Sequence, residues 1–149
     1  MVVSARWLYH YTAVWHMPSI LADSELRATE SNLSRAQEHA GPDVVWLTRS
    51  ETPSAYGLGL DTPAVDKTEV RITVDVPDAV PWSTWCEAHG IDRCWRRTLE
   101  KGRYPETWYV VEHPVPSSEW VSVEIRAEGV WQPWDREQAA KATLAGMLR

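Results

Sequence analysis

His10 and Thr12 stand two residues apart in the run from Arg6 to Thr12, whose alternation reads as a β-strand. A period of two puts both side chains on one face, where they offer neighbouring donors and acceptors to a ribose hydroxyl or an amide. Trp46 and Thr48 likewise share a face of a second predicted strand, Val44 to Thr48. Tyr56, on a helix predicted to follow, could close over the same cleft. Two aromatic faces can hold a flat cationic ring by stacking and cation–π attraction. The same residues also read as a hydrogen-bonded strand histidine with core-filling aromatics.

Other motifs are weaker. Gly57-Leu58-Gly59 is too little for a phosphate-cradling loop, and no Gly-x-Ser-x-Gly nucleophile elbow occurs. Cys86, His89 and Cys94 could supply three soft ligands, one short of a structural zinc site, so no metal is expected and the thiols read as small apolar residues. Arg71, between Glu69 and Thr73 on a strand, could grip a phosphate, but a cross-strand acid is the favoured partner. Arg93, Arg96, Arg97, Lys101 and Arg103 cluster along one short helix and its exit, as a phosphate contact or as a solvated face.

The elements that must position these residues are short. A helix with Pro18 in its first turn runs to Asp23, and residues 27–43 read as a polar loop with a helical turn. The clearest strand spans Thr68 to Val76, with Val70, Ile72, Val74 and Val76 on one face. Helices stopped by Gly90 and Gly102 follow, the second capped by Asp92. Strands Glu106 to Glu112 and Trp120 to Arg126 come next, then a helix from Asp135 to Leu148. The late links are too short for parallel crossovers, which predicts an α+β fold with a split, mostly antiparallel sheet and short helices.

The chain has 149 residues, the size of a single domain over 1–149. Its 15 basic against 21 acidic residues give a net charge of −6, which argues against a general grip on nucleic acid. Ten tryptophans and no phenylalanine make the large apolar anchors almost all indoles, suited both to core filling and to stacking on a planar ligand. There is no long apolar run and no secretory signal, so no membrane partner and a cytoplasmic, reducing location are expected.

Leu8-Tyr9-His10-Tyr11-Thr12, followed by a helix ending Ile20-Leu21-Ala22-Asp23-Ser24-Glu25-Leu26, resembles the opening of ADP-ribosyltransferase-fold proteins. There a first strand carries His-x-Thr/Ser and the next helix reads ILxxGxL, with Ser24 here in place of the glycine. Val44-Val45-Trp46-Leu47-Thr48 looks like the family's second strand, and Val115-Pro116 before Trp120-Val121-Ser122-Val123 looks like its terminal hairpin. The resemblance implies NAD as substrate, held by His10, Tyr11 and Thr12 and clamped by Trp46, Thr48 and Tyr56. It also implies a glutamate that stabilises the ribosyl cation as nicotinamide leaves, followed by transfer of ADP-ribose to a protein, nucleic acid, small molecule or water. The aligned position falls on Thr107 or Trp108, so the candidate catalytic residues are the nearby Glu106, then Glu112 and Glu124, with Glu30 reaching in from a loop. A module of the same fold that binds NAD or a protein without turnover is the alternative, and a nucleic-acid-binding protein a third reading.

Overall fold

The computed structural model describes residues 7–28, 42–52 and 66–135. Among the described residues nine strands and three α-helices succeed one another as β1 (Trp7–Thr12), α1 (Met17–Asp23), β2 (Glu25–Leu26), β3 (Val45–Thr48), β4 (Val70–Asp75), β5 (Val80–Pro81), α2 (Trp82–Ala88), α3 (Arg93–Glu100), β6 (Trp108–Val111), β7 (Val115–Pro116), β8 (Trp120–Ala127) and β9 (Val130–Pro133). Seven strands form one sheet in the order β5-β6-β3-β1-β4-β8-β9, and β2 pairs with β7 in a second, two-stranded sheet. Every pairing is antiparallel, which makes this an α+β fold. Among the described residues no helix is long and apolar enough to cross a membrane.

The alternation in β4 builds the main core. Val70, Ile72 and Val74 are fully buried beside Leu8, Leu47, Val111 and Ile125, and Val14, Met17, Leu26 and Val115 close over them. The opposite face carries a second core of different chemistry. There Trp82, Trp85 and Leu99 of α2 and α3 pack on Val44, Trp108 and Val110, with Trp46 against them. Trp82 stacks on Trp85 at 5.5 Å, lies 4.8 Å from Trp46 and meets the edge of Trp108 at 6.1 Å.

Local signals explain the ends of the helices. Asp92 accepts the Trp95 backbone N–H at 2.8 Å, and Gly90 and Gly102 take positive φ beyond α2 and α3. Ser24, where the resemblance wants glycine, adopts φ 53°, ψ 32° and turns the chain from α1 into β2. That left-handed residue is why a glycine suits the position.

Three expectations are corrected. The strand expected from Glu106 is the shorter β6, because Pro105–Thr107 forms a 3-10 turn whose prolyl nitrogen cannot join a ladder. The link from His113 to Ser118 contains β7, which Leu26 pairs in register with Val115. After β8 the chain turns through Glu128 and Gly129, both at positive φ, into β9, where Ala127 pairs with Val130. A Glu-Gly pair is not the usual Asn-Gly or Asp-Gly signal of this two-residue turn, so the hairpin was not expected. The helices expected after Pro53 and after Asp135, and most of the loop over 27–43, lie outside the described residues.

Candidate functional site

The centre of the large sheet is weakly joined. β3 and β6 pair at four positions from Val45↔Val111 to Thr48↔Trp108, whereas β1 and β3 pair only at Tyr9↔Thr48. Beyond that one pair the His10 side chain takes over the bonding: its Nδ1–H donates to the Trp46 backbone carbonyl at 2.8 Å. Burial, with His16 nearby, pushes the His10 pKa below its ordinary value despite that bond. The ring is therefore neutral, its Nδ1 is committed, and Nε2 remains as a hydrogen-bond acceptor.

A cleft of about 320 Å³ opens here, lined by His10, Thr12, His16, Asp23, Glu25 and Trp46, with Ser19, Ile20, Leu26 and Arg27 completing the wall. Arg27 Nε meets Asp23 at 2.9 Å across one turn of chain. His10, Thr12 and Trp46 all border this cleft, and the bond between His10 and Trp46 runs to the Trp46 backbone carbonyl. The Trp46 ring itself packs in the second core, against Trp82 and Trp108, on the sheet face opposite the one to which His10 and Thr12 alternate. His16, Asp23 and Glu25 were missed. His16 stands at the start of α1 and Asp23 at its end, and Glu25 enters on β2 after the left-handed turn at Ser24, legible only as a departure from glycine.

The other expected ligand residues face elsewhere. Register places Tyr11 opposite Arg71, on the face away from the main core, where its hydroxyl donates to the Ser50 carbonyl at 2.7 Å. Burial pushes its phenol up to about 12. Thr48 is buried, and its Oγ1 accepts the Ser50 N–H at 3.1 Å. Tyr56 and Glu30 lie outside the described residues.

None of the three candidate glutamates lines the cleft. Glu106 is exposed in the turn before β6. Glu112 sits past the end of β6, where its Oε1 accepts the Trp85 indole N–H at 2.9 Å and meets His89 Nε2 at 2.7 Å. Glu124 is opposite Arg71 in the β4–β8 register, and one of its oxygens accepts from Arg71 Nε at 3.1 Å and Nη2 at 2.9 Å. The same guanidinium lies 4.4 Å from the Trp131 ring and 5.3 Å from the Tyr9 ring, and Nη1 donates to the Glu51 carbonyl. Burial alone would weaken its charge, but the bonds to Glu124 raise the Arg71 pKa instead. The cross-strand reading of Arg71 is the observed one.

The two cysteines are apart in environment. Cys86 is buried in the tryptophan core, which pushes its thiol up to about 12, and Cys94 is exposed. Among the described residues no three His, Cys, Asp or Glu side chains gather as metal ligands. The chain matches no protein-family profile, no curated protein and no solved structure.

Proposed function

We propose that this chain is an ADP-ribosyltransferase-like protein that binds NAD, with the nicotinamide end in the cleft between β1, β3 and α1. One observation carries the reading: His10, Thr12 and Trp46, expected from the sequence to share a slot, line one cleft where β1 and β3 part. A neutral His10 whose Nδ1–H is held by Trp46 presents Nε2 to a ribose hydroxyl, and Thr12 adds a hydroxyl two residues away. A volume of about 320 Å³ is at the small end of ligand sites, enough for nicotinamide and its ribose. The remainder of the dinucleotide then runs out past Arg27, whose guanidinium suits a pyrophosphate.

Binding is favoured over ADP-ribose transfer on a specific ground. Glu124 is paired with Arg71, Glu112 is bonded to Trp85 and His89, and Glu106 is exposed outside the cleft. Cleavage of the glycosidic bond needs a carboxylate beside the ribosyl cation; none of these three lines the cleft, whose own acids are Asp23, paired with Arg27, and Glu25 at the start of β2. The test is a thermal-shift titration with NAD, ADP-ribose and nicotinamide, combined with an assay for free nicotinamide. NAD raises Tm, by the equivalent of about 2.7 kcal/mol at a hundredfold excess over Kd, with no nicotinamide released. Nicotinamide release abolished by one of Asp23→Asn, Glu25→Gln, Glu106→Gln, Glu112→Gln or Glu124→Gln would restore the transferase, and no shift at all would remove the NAD reading.

A further inference from the structure

The structure divides the basic cluster of α3 and its exit into two groups. Arg96 Nε donates to Glu100 at 2.7 Å, and Arg103 Nη1 donates to the Leu99 carbonyl at 2.9 Å, so both turn inward. Arg93, Arg97 and Lys101 are exposed, and among the described residues none of the three has an anionic partner. The acids of α3 and its N-cap are already engaged. Asp92 caps α3 through the Trp95 N–H, and Glu100 takes both Arg96 and the Trp82 indole N–H. Spacing of four residues puts the three cations in one row, Arg93 and Arg97 in α3 and Lys101 at its C-cap, about 6 Å apart.

We propose that this row, with Tyr104, binds single-stranded nucleic acid. Three cations at a regular spacing follow a strand of phosphates, and the two arginines present planar donor forks. Tyr104, three residues beyond Lys101, is 53% exposed and offers a ring on which a base can stack. An acidic peptide would leave that ring unused. A membrane surface is disfavoured because the apolar side of α3, at Leu99, is buried in the tryptophan core and cannot enter lipid. In a chain of net charge −6 the row is a local exception, felt over about a Debye length of 8 Å at physiological salt. Contact with phosphate is therefore short-range.

Fluorescence anisotropy with a labelled mixed-sequence oligonucleotide, its duplex and anionic phosphatidylserine vesicles tests this. Three phosphate contacts give a slope of about −2 in log affinity against log salt, so raising salt from 50 to 200 mM weakens binding roughly 20-fold. Combined Arg93→Gln, Arg97→Gln and Lys101→Gln removes binding while circular dichroism stays unchanged, because the three side chains are exposed. Tyr104→Ala weakens binding at least about fivefold and leaves the slope alone. No binding at 50 mM salt, binding that survives the triple change, equal affinity for the duplex, or a preference for vesicles each overturns the proposal. The NAD titration is independent of all four outcomes.

Discussion

The two sides of β3 are built on opposite principles. Toward β6 the strands pair at four positions, and the indoles of Trp82, Trp85 and Trp108 seal the face under α2 and α3. The Trp82 and Trp85 N–H groups are satisfied there by Glu100 and Glu112. Toward β1 the ladder stops after one pair, and an imidazole supplies the next bond. Large packed rings, with the Trp82 and Trp85 donors satisfied, make a rigid layer, whereas a strand seam left open exposes polar groups. The first region holds the fold, and the second is where we propose that NAD binds.

Changes that break this contrast differ in size. Trp82→Ala, in the centre of the indole layer, costs about 3–5 kcal/mol in urea unfolding, because a cavity replaces a side chain in contact with three other indoles. Arg71→Ala leaves the partly buried Glu124 unpaired and strips a ring contact from Trp131, for a loss of about 1–3 kcal/mol by the same measurement. His10→Ala costs about 1 kcal/mol in stability, but it lowers NAD affinity at least about tenfold, read by the ligand-induced rise in Tm. If Trp82→Ala and His10→Ala exchanged these profiles, the division of labour would be wrong.

The histidines give the smallest and most specific effects, and they have opposite signs. His10 resists protonation in the fold, so below its ordinary value of 6.5 the unfolded chain takes up the proton and stability falls with falling pH. His113 is raised instead, by the Pro114 carbonyl and then by Asp78, each 2.5–2.8 Å from a ring nitrogen. Its contribution is complete below 6.5 and is lost as pH rises through the raised folded value. The His113 effect is the weaker, because both partners are about half exposed. Unfolding midpoints between pH 5.5 and 8 lose their acid-side drop in His10→Gln and their neutral-side drop in His113→Gln.

Much of this was legible in the residues themselves. Strict alternation announced β1, β4 and β8, and Asp92, Gly90 and Gly102 marked the ends of α2 and α3. The pairing of Arg71 with a cross-strand acid followed from its place on a polar face. Other features depend on contacts between distant segments. Two-residue strands such as β2 and β7 have no period to read, and their pairing is decided by Leu26 and Val115 reaching one core. The carboxylates proved hardest. Glu106 and Trp108 would share a strand face if the strand began at 106, but the turn at Pro105 removes that relation. Of the acids lining the cleft, Asp23 closes α1 and Glu25 follows a left-handed serine that no periodicity reveals.

The most direct test is the indole region of a proton–nitrogen NMR spectrum during titration with NAD, where each of the ten tryptophans gives one N–H resonance. Binding in the open seam moves the Trp46 resonance and leaves those of Trp85 and Trp131 in place. A spectrum in which no indole moves at saturating NAD, or in which Trp131 moves and Trp46 does not, contradicts a nicotinamide site between β1 and β3.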